Sequence, residues 1–151
     1  MKILIVEDEL DKREQLSSVL LTNLGAEIEI YTCGSLHSSI KLVAFNEPFD
    51  LALIDMSMPN YDISASEPTG GDPESFAGKE LIYQMKMRGK LCPLIIVTQY
   101  RSFEKGKVDL LDLDNEFSSE FEDYYLGYVY YNPAVDGWVE SLESLISGVK
   151  K

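Results

Sequence analysis

Residues 51–59 read LALIDMSMP: four aliphatic residues, Leu51–Ile54, run without polar alternation and stop at an acid, Asp55. A strand with one solvated face would alternate, so an unbroken apolar run of this length points to a parallel strand covered on both sides. Two other segments repeat the pattern. Lys2–Val6 (KILIV) leads into Glu7 and Asp8, and Leu94–Val97 (LIIV) leads into Thr98. In each case a buried strand ends on an oxygen-bearing side chain.

The intervening segments carry helical spacing. After Glu9, the residues Leu10, Leu16, Val19, Leu20 and Leu24 recur near a helical period, and Gly25 follows where a C-cap is needed. Leu36, Ile40, Leu42, Val43 and Phe45 predict a second helix closed before Pro48. Asp72 and Pro73 read as the N-cap and first position of a helix running to about Arg88. Val135, Val139, Leu142, Leu145, Ile146 and Val149 share one face of a last helix. Ala26–Tyr31 (AEIEIY) alternates acid with isoleucine, as an edge strand would, and Tyr128–Tyr131 (YVYY) is the last strand. Strands alternating with helices predict an α/β fold with a mostly parallel sheet. Two connections, from Pro59 to Gly78 and from Tyr100 to Gly127, are longer than that architecture needs, and loops of such length are uncommon without a function.

With 151 residues the expectation is one unit spanning 1–151, because two independent domains would each be small and marginal. A net charge of −13 repels nucleic-acid phosphates and anionic membrane surfaces, which argues against direct nucleic-acid or membrane binding. No apolar stretch approaches the roughly 20 residues that cross a bilayer. Cys33 and Cys92 are far apart, lie beside strands and read as small buried residues in a reducing cytoplasm. His37, the one histidine, begins a polar stretch and reads as a surface residue. Gly70 and Gly71 have neither the lysine nor the preceding strand of a phosphate loop and read as a flexible turn.

In open parallel sheets ligands bind beyond the carboxyl ends of the strands. Glu7, Asp8 and Asp55 could therefore converge there with Thr98, and clustered carboxylates call for a hard divalent cation such as Mg²⁺. The acidic pair after the first strand, DMSMP after the third and Thr98 after the fourth resemble the receiver domain of two-component response regulators over nearly the whole chain. The resemblance implies a flavodoxin-like, doubly wound five-stranded parallel sheet of order 2-1-3-4-5, with long insertions before helix 3 and before strand 5. It also implies that Asp55 is the phosphoacceptor and Thr98 contacts the phosphoryl group. Asp8 would ligate Mg²⁺ directly, Glu7 through water and Ser57 through its backbone carbonyl. The donor would be a histidine kinase or phosphotransfer protein, and the output a protein partner. The alternative is an atypical receiver acting mainly as a phosphorylation-independent protein-binding module. A metal-dependent phosphohydrolase is a third reading, weakened because Ser57 stands where a second aspartate would be and no general acid is evident.

The pattern breaks after the last strand. Receivers carry Lys-Pro there, whereas this chain has Asn132 and Pro133, so a cation is missing. The aromatic switch position falls on Val129, between Tyr128 and Tyr130, and a slip of one residue would exchange which tyrosine points inward. From Val108 to Val149 there are ten acids and no Lys or Arg, so Arg101 and Lys105 are the nearest replacements in sequence, with Arg101 the first choice. The same region should disfavour symmetric pairing and suit a basic partner. Tyr124, Tyr125, Tyr128, Tyr130, Tyr131 and Trp138 are either its aromatic anchors or packing beneath the long connection.

Overall fold

A computed structural model describes residues 1–59, 73–74, 77–100, 102–103 and 108–149. Five strands form one parallel sheet: β1 (Lys2–Val6), β2 (Glu29–Cys33), β3 (Leu51–Ile54), β4 (Leu94–Thr98) and β5 (Tyr125–Tyr130). Their spatial order is β2-β1-β3-β4-β5. The helices are α1 (Leu10–Leu24), α2 (Leu36–Ala44), α3 (Ala77–Met87), α4 (Leu110–Glu120) and α5 (Gly137–Ser147). This is the flavodoxin-like, doubly wound α/β sheet expected above.

The unbroken apolar strands are explained by cover on both faces. Leu4, Val6, Ala52, Ile54, Leu94 and Ile96 pack with residues of α2, α3 and α4, while Ile3, Ile5, Leu51, Leu53, Ile95 and Val97 pack with α1 and α5. Each of these strand residues is no more than 1% exposed. Burying a side chain of this size is worth about 1.5–3 kcal/mol, so the two layers dominate the stability of the sheet.

Two expectations are corrected. The helix predicted from Pro73 to Arg88 begins at Ala77 instead, and Pro73–Glu74 forms a two-residue antiparallel ladder with Met58–Pro59. Prolines lack the ladder donor, which confines such a pairing to a short edge. Asp72, the expected N-cap, and most of the first insertion lie outside the described residues. The second insertion is not simply a loop. A short ladder of Ser102–Phe103 with Val108–Asp109 leads into α4, whose Leu110, Leu113 and Phe117 are buried. Asp109 caps α4 by accepting from the Asp112 amide (2.9 Å), and Asp112 reciprocates on the Asp109 amide (3.1 Å). Asp109→Ala is expected to cost about 1 kcal/mol, read as a shift in urea midpoint with unchanged slope.

β5 starts at Tyr125, earlier than its sequence suggested, because the strand contains a bulge. Leu94 faces Tyr125 and Ile95 faces Gly127, leaving Leu126 over. Gly127 sits at φ 141°, a region side-chain-bearing residues rarely enter. Beyond the bulge Val129 and Tyr131 turn toward α1 and α5, whereas Tyr128 and Tyr130 turn toward the α2–α4 layer. Tyr125, Tyr131 and Trp138 are core residues, with the last two rings 4.9 Å apart, so among the candidate aromatic anchors Tyr124 is the exposed one. Tyr83 of α3 donates to either Glu116 or Glu120 of α4, each 2.9 Å away, and Lys79 and Lys86 face the same two acids. The acidic face of α4 is therefore partly compensated by its neighbour.

Candidate functional site

Glu7 and Asp55 are the first residues past the ladders of β1 and β3. Register pairs Val6 with Ile54, and the Asp55 amide donates to the Val6 carbonyl at 3.0 Å, so the two acids lie side by side at the carboxyl edge of the sheet. Carboxylate oxygens of Glu7, Asp8 and Asp55 come within 4.8 Å of one another. Glu7 is 1% exposed and Asp55 4%, whereas Asp8 faces solvent. Arg13 braces the turn from below, donating through Nε (3.1 Å) and Nη2 (2.6 Å) to the Glu7 carbonyl. Glu7 Oε2 accepts from the Glu9 amide at 3.0 Å, and Asp55 Oδ1 from the Ser57 amide at 3.5 Å.

A residue the sequence reading did not single out completes the cluster. Lys12, on the first turn of α1, is 1% exposed. Its Nζ lies 2.6 Å from Glu7 Oε1 and 3.4 Å from Asp55 Oδ2 and donates to the Val97 carbonyl at 3.0 Å. It also stands 5.3 Å from the centre of the Tyr131 ring. Apart from this ion pair, Glu7 Oε1 has no polar partner among the described residues.

The electrostatics follow from burial and crowding. Burial first, and then the Asp55 carboxylate, push Glu7 up to about 8 against the pull of Lys12. Burial likewise raises Asp55, opposed mainly by Lys12. For Lys12 itself burial favours the neutral amine, but Asp55 and then Glu7 outweigh it and hold the ammonium above its usual range. The cluster thus has three carboxylates facing one ammonium, an acidic excess that suits a divalent cation with oxygen ligands.

The other expected site residues differ in placement. Thr98 is fully buried at the end of β4, and its Oγ1 accepts from the Tyr100 amide at 3.2 Å. Asn132 follows β5, and its Oδ1 accepts from the Ala134 amide at 3.0 Å, which makes a local turn. Arg101 and Lys105 lie outside the described residues. His37 is exposed at the start of α2. Cys33 and Cys92 are buried free thiols, and desolvation pushes Cys92 up to about 12, which leaves it unreactive. No helix among the described residues is long and apolar enough to cross a membrane.

No family model matches the chain. Among solved structures, the response regulatory domain of protein mrkE from Klebsiella pneumoniae is similar, with a TM-score of 0.63 and 18% identity over 99% of this chain and 94% of that one. The receiver domain of Francisella response regulator 1452 gives 0.58 and 16%, covering 98% and 94%. These two show the fold. The Detocs response regulatory protein DtcB of Enterobacter cloacae (strain JD6301) is 31% identical over 144 residues, covering 94% of this chain and 95% of its own. Identity at that level along almost the full length of both sequences, together with the sheet order and the acidic edge, means that this chain belongs to the response-regulator receiver family.

Proposed function

We propose that the protein is a phosphoacceptor signalling module, a single receiver unit over residues 1–151 in which Asp55 takes a phosphoryl group from a phosphohistidine donor. The observation that carries this is the meeting of Glu7, Asp8 and Asp55 within 4.8 Å at the carboxyl edge of the sheet. The donor would be a histidine kinase or phosphotransfer protein, and the altered surface would be read by a second protein, with basic surfaces favoured by the ten acids between Val108 and Val149. The module would turn over no substrate beyond its own phosphorylation and dephosphorylation.

The donor set fits Mg²⁺: it is all oxygen, and its three carboxylates outnumber the one ammonium among them. Asp8, Asp55 and the Ser57 carbonyl would hold the ion, with Glu7 behind them through water. When bound, the ion would offset charge on the transferring group. Asp55 supplies the attacking carboxylate, and the Ser57 amide at its Oδ1 orients it. Thr98 would turn its hydroxyl to the new phosphoryl oxygens.

Intact mass after incubation with Mg²⁺ and acetyl phosphate tests the reading. One added phosphoryl group is expected, absent in Asp55→Asn. The commitment of Asn132 to a local turn favours the second reading, a phosphorylation-independent binding module. No mass gain, from acetyl phosphate or from a kinase donor, with partner binding unaffected by Asp55→Asn, would establish that reading instead.

A further inference from the structure

We propose that Lys12 is the phosphoryl-contacting cation of this site, delivered from helix α1 and not from the segment after β5. The proposal deepens the phosphoacceptor reading and rests on it. Its first support is position. The Lys12 ammonium lies 3.4 Å from Asp55 Oδ2, while the other oxygen of that carboxylate faces the Ser57 amide. A group added to Asp55 on the side of Oδ2 therefore enters beside a positive charge already in place.

The second support is what holds the lysine there. Its Nζ is fixed by the Val97 carbonyl at 3.0 Å and by Glu7 at 2.6 Å, above the Tyr131 ring. Such a preset donor stabilises developing charge without reorganisation during the reaction. The third support is position on the helix. Lys12 shares the buried face of α1 with Leu16, Val19 and Leu20, where an aliphatic residue would pack without desolvating an ammonium. Packing alone gives no reason for a lysine at that place. Finally, Val108–Val149 offers no basic residue, and Asn132 spends its side-chain oxygen on Ala134.

In the transfer step, an Asp55 carboxylate oxygen forms a bond to phosphorus. The bond from phosphorus to the donor atom, a ring nitrogen of phosphohistidine or the acyl oxygen of acetyl phosphate, breaks with its electron pair leaving on the donor. Lys12 moves no proton in this step. It balances negative charge on the equatorial oxygens and then on the aspartyl phosphate.

The test uses the full chain with Mg²⁺ and acetyl phosphate, following phosphoryl uptake by intact mass and folding by circular dichroism. Lys12→Gln retains a donor for the Val97 carbonyl and removes the charge. Its uptake rate is expected to fall about a hundredfold, the scale of losing one preset donor. Asn132 follows Tyr131, the residue whose ring lies beneath the ammonium, so Lys12→Gln/Asn132→Lys returns the cation from the opposite side and is expected to recover most of the rate. A lysine that served only to pack α1 would not be replaced from β5. Wild-type uptake by Lys12→Gln overturns the proposal, and so does a folded double variant as slow as the single one. The double variant keeps the net charge, and where Lys12→Gln does not fold it is compared with the wild type, a folded double variant about a hundredfold slower than wild type overturning the proposal. A wild-type chain that takes up no phosphoryl group from acetyl phosphate or from a kinase donor overturns the phosphoacceptor reading itself and removes the proposal with it, an outcome distinct from the other two.

Discussion

Gly78→Ala is expected to destabilise the protein by about 3 kcal/mol and to slow phosphoryl uptake at Asp55 by roughly a hundredfold. A Cβ built on Gly78 would stand 2.3 Å from the Asp55 carbonyl oxygen, 2.6 Å from Met56 Cε and 2.9 Å from Met56 Cα. Two of those atoms are backbone and cannot rotate away. The Gly78 amide also donates to the Met56 carbonyl at 3.0 Å, so the start of α3 is bonded to the segment it would be pushed from. Relief requires either α3 or the Asp55–Met56 backbone to move by several tenths of an ångström or more, and both fix where the acceptor carboxylate points. Gly137→Ala is the matched control. No atom lies within 4 Å of its added methyl, its φ is not in the left-handed range, and it opens α5, so the change is expected to be neutral or slightly stabilising. Urea melts and uptake rates for the two variants check the argument. A Gly78→Ala protein as stable and as reactive as the control would show that the close approach is not what positions Asp55.

The parts of this site that could be read from the sequence are those tied to strand ends. A parallel strand buried on both faces leaves a signature of consecutive aliphatic residues, and the first polar residue after it must lie at the sheet edge. That logic led from KILIV to Glu7 and Asp8, and from LALI to Asp55, and these three acids do meet. Thr98, the fourth such residue, takes its place at the end of β4 as expected. The sheet order was implied by the family resemblance, with which the alternating AEIEIY segment agreed by reading as an edge, and β2, displaced to Glu29–Cys33, is one.

Lys12 escaped because it sits in the run DKRE, residues 11–14, which reads as a solvated turn. The signal was its phase: four, seven and eight residues before Leu16, Val19 and Leu20, it falls on the apolar stripe of α1, close after the acidic pair. A charged residue on a buried stripe beside opposite charges is a site candidate, whereas Arg101 and Lys105, the candidates read from the segment after Thr98, lie outside the described residues. Helix α4 escaped because acids at Asp112, Asp114, Glu116 and Glu120 dilute its hydrophobic pattern. Asp109 and Asp112, three residues apart and followed by Leu113 and Phe117, were the available start signal. The Asp72-Pro73 pair gave the opposite error. It has the local chemistry of a helix start, but Pro73 faces Pro59 in a ladder and α3 begins only at Ala77, next to Gly78, the residue small enough to seat against Asp55.

Phe117→Ala is expected to cost about 3–5 kcal/mol, the range for emptying a large aromatic site in a core, and for a chain of this length that lowers the melting midpoint by roughly 10 °C. Phe117 is fully buried, with its ring 5.8 Å from that of Phe121 and 5.7 Å from that of Tyr125. The Tyr125 hydroxyl donates to Asp114 at 2.7 Å, so the same cluster ties α4 to the first residue of β5 both by packing and by a hydrogen bond. Leu111, on the same helix but 60% exposed, supplies the contrast, because Leu111→Ala should change stability by no more than about 0.5 kcal/mol. Equal effects of the two variants would mean that α4 does not pack as described. The location of the loss matters for function. Tyr125 pairs with Leu94 at the start of β4, and Thr98, next to Tyr130, lies at the other end of that strand pair. Emptying the Phe117 site therefore loosens the end of the sheet remote from the carboxylates, and folded Phe117→Ala protein should still take up a phosphoryl group at close to the wild-type rate. Stability and phosphoryl chemistry would then separate along the length of two strands, with α4 free to be the element whose packing a partner senses.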